Sequence, residues 1–174
     1  MASILLDITG SVQQAIVLLE GLPEELFTRV DPPAYGSSIG AHLRHNIDHY
    51  HSFCQGAVDG RIDYDHRNRD PRLERELSLA KTILSGVISD LSNLDGKDLD
   101  HRVEVKMDCG DHSEWSTSSI RRELQFLLSH TVHHYAVIGM ICQLQGHCPP
   151  EDFGVAPSTL KYRRAQQKLK ACAP

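Results

Sequence analysis

The sequence predicts an all-α fold: a four-helix bundle with a small β-hairpin before the last long helix. Three observations carry this reading. Four long segments repeat apolar residues at the helical period, prolines and glycines fall between them, and only residues 101 to 118 turn to strand-like alternation. A chain of 174 residues matches one domain with a real core, so residues 1–174 are expected to form a single unit.

The first helix, residues 3 to 20, sets Leu5, Ile8, Val12, Ile16 and Leu19 on one side and stops at Gly21 and Pro23, with Pro32 and Pro33 beyond. The second begins at Ser37 or Ser38, both good N-caps, and runs to about Gly60 with Ile39, Leu43, Ile47, Tyr50 and Cys54 as its stripe. GRIDYDHRNRD then reads as a solvated connection, because Asp63 and Asp65 lack the glycine and closing glutamate of a calcium loop.

Asp70 followed by Pro71 caps the third helix, which Leu73, Leu77, Ala80, Leu84, Ile88 and Leu91 extend to about Asn93. HRVEVKM alternates, CGDH looks like a turn and SEWSTS can pair back, giving the hairpin. Trp115 is expected to staple the next helix start against the core. The fourth helix runs from about Ser118 to Gln145 or Gly146, and a short helix after Ser158 completes the chain.

Composition narrows the function classes. Eighteen basic and 23 acidic residues give a net charge of −5, unsuited to a phosphate backbone, so no nucleic-acid partner is expected. The N-terminus lacks a basic leader region, its apolar run stops at Asp7, and no later segment approaches the ~20 apolar residues of a membrane span. Five cysteines, at 54, 109, 142, 148 and 172, show no C-x-x-C spacing and fit reduced thiols in a cytoplasmic protein. Dimerisation through a bundle face is compatible with the pattern.

Histidine is the outlier: seven of eleven lie in two windows, His42, His45, His49 and His51, then His130, His133 and His134. On the fourth helix His134 falls in the middle of the apolar face with His130 one turn earlier and His133 at its edge. The i,i+4 spacing lets two imidazoles reach one ion, as in H-E-x-x-H, although HTVHH lacks the glutamate of a zinc protease. The alternative is a pair of core histidines bonded to neighbouring helices. On the second helix His42, His45 and His49 share a side, and periodicity places His42 and His49 closer to the apolar stripe than His45. It does not choose among them.

Ser38-Ile39-Gly40 followed by His45, with His130 and His134 on the last long helix, closely resembles the DinB/YfiT-like superfamily. The resemblance extends over nearly the whole chain. It implies a four-helix bundle carrying one divalent metal, nickel, zinc or iron, on three histidines, here His45, His130 and His134, with His49 in reserve. It also implies a metal-dependent enzyme acting on a small-molecule substrate, a transferase using a low-molecular-weight thiol or a hydrolase. A non-catalytic metal- or ligand-binding bundle is the alternative. Three imidazoles would leave positions open on the ion.

Three further residues stand near this set. Asp48 is placed to hold a ligand's second nitrogen, and a solvated helix face explains it equally well. Glu123, near the centre of the fourth helix's apolar arc, is expected to pair with a lysine or arginine at the bundle end, with a role as base or ligand orienter as the alternative. His133 is expected at the surface or behind the ligands. His51 points elsewhere.

Overall fold

The computed structural model describes residues 3–31, 36–107 and 114–171. The helices are α1 (Ser3–Gly21), α2 (Glu24–Thr28), α3 (Ile39–Asp59), α4 (Leu77–Ser92), α5 (Ile120–Leu144) and α6 (Pro157–Ala171). Packing runs α1 to α4, α4 to α3, α3 to α5 and α5 back to α1, which closes a four-helix ring. The predicted bundle is therefore present, built from α1, α3, α4 and α5. The expected CGDH turn, Cys109, Cys172 and the Pro32-Pro33 break lie outside the described residues.

Each bundle helix buries the stripe its sequence spells. Leu5, Ile8, Val12, Ile16 and Leu19 of α1 are all buried, as are Leu43, Ile47 and Tyr50 of α3 and Leu124, Leu127, Ile138 and Ile141 of α5. By length and composition α1 is apolar enough to cross a membrane, and here its buried face packs on α4 and α5. Ser38 caps α3, its hydroxyl accepting from the Ala41 amide at 3.1 Å, and Gly60 closes it at φ 76°. Ser38→Ala should lower stability by about 1 kcal/mol, read as a shift in the urea midpoint.

Two elements depart from expectation. The third helix does not run on from Pro71: residues Pro71–Glu74 form a 3-10 turn, Glu76 is extended, and α4 starts only at Leu77. Gly40 permits the close approach, since a Cβ on residue 40 would overlap the Glu74 backbone. The turn is thereby seated on α3, at the cost of helical continuity.

The hairpin is also larger than predicted. Strand β1 (Arg61–Asp63) pairs parallel to β2 (Arg102–Lys106), which pairs antiparallel to β3 (Trp115–Ser119). Part of the supposed solvated connection is thus a strand, with Ile62 opposite Val105 and both facing the core beside Val103. Gly56 of α3 permits it, because a Cβ there would overlap the Arg61 carbonyl and Ile62 Cα. Trp115 does not staple the core: it is 39% exposed, and the Arg61 guanidinium sits 4.2 Å over its ring. The short α2, which anchors the buried Phe27, has no strong periodic signal because it is only five residues long.

Candidate metal centre

Helices α3 and α5 pack side by side and bring an i,i+4 histidine pair from each together. His45 and His49 come from α3, His130 and His134 from α5. His45 Nε2 and His130 Nε2 are 3.1 Å apart. Two nitrogens each about 2.1 Å from a common ion lie roughly 3.0–3.4 Å apart for cis or tetrahedral ligands, so the spacing fits a shared metal. One nitrogen from each of His45, His49 and His130 lies within 4.8 Å of the others, a group able to hold an ion.

His134 adjoins this group. Its ring centroid is 4.6 Å from those of both His45 and His130, while its Nδ1 lies 3.0 Å from His42 Nδ1. Helix spacing also accounts for His133 and His51, which are exposed. Every ring of the cluster is thus one turn from a partner on its own helix or directly across from one.

The surroundings fix the rings. His49 Nδ1 is 2.9 Å from the His45 carbonyl, and since a carbonyl only accepts, Nδ1 carries the hydrogen and Nε2 is left with its lone pair. Tyr64 stacks on His49 at 5.5 Å, and Phe126 covers Tyr64 and His130 at 5.3 and 5.6 Å. This aromatic wall removes water from one side of the cluster.

Asp48 is not on a solvated face. It is 2% exposed and accepts from Arg44 at 2.9 Å, while Arg44 also donates to Glu74 at 2.8 Å. Its contact is with Arg44 and not with an imidazole nitrogen. Glu123, by contrast, makes no ion pair among the described residues: it is buried and accepts from the Tyr64 hydroxyl at 3.1 Å and from Ser118. Its action on the site therefore runs through Tyr64. Tyr64→Phe should destabilise the protein by about 1–3 kcal/mol, by stripping a partner from a buried carboxylate, while metal stoichiometry stays unchanged.

Burial and mutual repulsion hold the imidazoles neutral. Desolvation first, then the neighbouring histidines, depress His45 to about 3, His130 to about 2 and His134 to about 4, and His42 and His49 are lowered as well. Neutral rings at pH 7 are ready ligands. The same shifts give a sign for acid stability: the unfolded chain takes up protons near pH 6.5, the folded cluster only near 2–4. Metal-free protein should keep this contribution above about pH 6.5 and lose it as the pH falls toward 4. A urea midpoint that drops between pH 7 and pH 5, and drops less in His130→Gln, is the expected result.

Arg67 is the neighbour that periodicity had no means to find. Asp63 accepts from the amides of Asp65 and His66 at 2.9 and 3.0 Å, and this turn swings Arg67 back so that Nη1 lies 3.2 Å from His45 Nδ1. The loop after β1 thus reaches back to His45.

A four-helix bundle whose central helices converge a set of neutral imidazoles is a helical protein with a candidate divalent-metal centre. The sequence matches the DinB superfamily over residues 9–138, and the chain belongs to that superfamily. The crystal structure of a DinB-like protein from Bacillus subtilis shares the fold at a TM-score of 0.62, with 17% identity, covering 84% of this chain and 94% of that one. A curated relative, FK506-binding protein 5 of Rhizopus delemar, is 32% identical over 108 residues, 60% of this chain. The chain spans only 28% of that relative's length.

Proposed function

We propose that this protein is a metal-dependent enzyme that activates a small-molecule thiol, with His45 and His130 as the anchors of the ion. The observation that carries the reading is the 3.1 Å approach of the two Nε2 atoms within a group of imidazoles held neutral. His49 completes the set whose nitrogens already converge; His134 completes the set that the family resemblance matches. A divalent ion bound there would act as a Lewis acid, lowering the pKa of a thiol or water placed on it.

The chain's own residues supply the rest. The His45 carbonyl fixes the His49 ring, Tyr64 and Phe126 exclude water from one side, and the half-buried rings of His45, His130 and His134 leave an approach from the other. Among the described residues no carboxylate joins the nitrogen group, so an ion would keep its full double charge and favour an anionic ligand such as a thiolate.

Metal analysis of untagged protein, followed by thiol consumption with a panel of electrophiles in metal-loaded and metal-free protein, tests this. Stoichiometric nickel, zinc or iron with metal-dependent consumption is expected. Bound metal that no added thiol can reach would make the protein a binding module instead, and the absence of stoichiometric metal would overturn the reading.

A further inference from the structure

The histidine cluster leaves one cation beside it unexplained. Arg67 Nη1 meets His45 Nδ1 at 3.2 Å, yet its Nε is buried with no hydrogen-bond partner. The nearest alternative cation, Arg44, is occupied by Asp48 and Glu74. A guanidinium offers five donors in a planar fork suited to a carboxylate, and one contact to a neutral ring uses few of them.

We propose that Arg67 is the substrate-recognition residue of the site, binding a carboxylate carried by the thiol substrate. The inference rests on the metal-thiol reading above and names the class of thiol: one with an acidic group a few bonds from its sulfur.

Hydrogen-bond chemistry shows why the side chain waits where it does. Arginine only donates, so in the contact seen here His45 Nδ1 must accept, and the ring hydrogen sits on Nε2, facing His130. A neutral His45 that ligates through Nε2 has its hydrogen on Nδ1, and two donors then face each other. Arg67 must turn away from the ring in the loaded protein. Its starting point is one imidazole width from the ligating nitrogen, and the Asp63 turn holds its backbone in place. The guanidinium is therefore freed beside His45, with no acceptor left on that ring.

The charge balance points the same way. Three neutral imidazoles leave the ion's charge uncompensated by its ligands, and Arg67, whose charged neighbours are Arg69, Asp48, Arg44 and Asp65, adds a further cation beside it. A ligand bringing both a thiolate and a carboxylate offsets these two charges better than a neutral thiol.

The test uses cobalt-loaded, untagged full-length chain as wild type, Arg67→Gln and Arg67→Lys. The probes are 3-mercaptopropionate, its uncharged analogue 3-mercapto-1-propanol, and propionate. Cobalt spectra and calorimetry report binding. Wild type should bind 3-mercaptopropionate at least about tenfold more tightly than the alcohol, a gap of about 1.4 kcal/mol. In Arg67→Gln the ratio should fall to near one, with cobalt content and affinity for the alcohol unchanged, and Arg67→Lys should restore part of it.

A ratio near one in wild type, or one that survives in Arg67→Gln, overturns the proposal while leaving the thiol reading intact. If cobalt is bound but neither thiol perturbs its spectrum, the thiol reading falls and propionate decides: binding lost in Arg67→Gln retains Arg67 as a carboxylate site, and binding independent of Arg67 or undetectable overturns it. Failure to bind cobalt removes both readings.

Discussion

Replacing His45 or His130 with alanine is expected to abolish stoichiometric metal binding. These two rings belong to both three-histidine sets, the one with His49 and the one with His134, and their Nε2 atoms meet across the α3–α5 interface. Losing an outer partner of a ligand typically costs 10–100-fold in affinity, and losing a ligand itself should cost at least about 100-fold. His133→Ala and His51→Ala are the controls, both exposed and both expected to retain the metal. His49→Ala and His134→Ala identify the remaining ligand: loss in His49→Ala supports the convergent nitrogen group, loss in His134→Ala the family match. Retention of metal in both single variants and in the double variant would sink the three-histidine site. Circular dichroism on each variant separates lost ligation from lost helix.

Gly40→Ala and Gly10→Ala should move stability in opposite directions, although both place alanine within a helix. At Gly10 of α1 an added Cβ meets nothing within 4 Å, so the intrinsic preference of helices for alanine should stabilise by about 1 kcal/mol or less. At Gly40 the same atom would overlap the Glu74 carbonyl and come 2.9 Å from Phe27 Cε1. Phe27 is fully buried and the Glu74 backbone belongs to the turn that Arg44 pins, so neither can give way cheaply. A loss of about 1–3 kcal/mol is expected from the overpacking. Thermal or urea unfolding of the two variants decides it, and equal effects at both positions would show that Glu74 moves aside freely.

How the fold was legible differs from how the site was. The stripes of α1, α3, α4 and α5 could be read because each helix buries one face, so its own periodicity records its surroundings. The start of α4 could not: Asp70-Pro71 is a sound helix opening, and the 3-10 turn that replaces it sits against α3 at Gly40, a contact between distant segments. The polar letters of DYDHRNRD hid a buried Tyr64 and an inward Arg67 for a similar reason. Strand β1 depends on β2, whose Glu104 lies opposite Arg61 and outside any local window, whereas the Asp63 turn and the Gly56 contact are local but leave no apolar periodicity to read.

His130 and His134 could be placed on one face from spacing alone, because a single helix fixes both. On α3 the periodic pattern left His42, His45 and His49 unseparated, and the family resemblance named His45. The structure distributes all three: His42 against His134, His45 against His130, and His49 between His45 and Tyr64. The same limit applies to Asp48 and Glu123, whose partners were visible only once Arg44, Ser118 and Tyr64 were in place.

The sequence by itself determined the four-helix bundle, the family and the two histidine-bearing helices, because those follow from local periodicity and short motifs. Only the tertiary structure decided which imidazoles face one another, that Asp48 and Glu123 are spent on Arg44 and Tyr64, and that Arg67 stands beside His45. Those outcomes depend on the register of α3 against α5 and on a loop folding back over both. Register is set by the packing of whole faces, and no single segment encodes it.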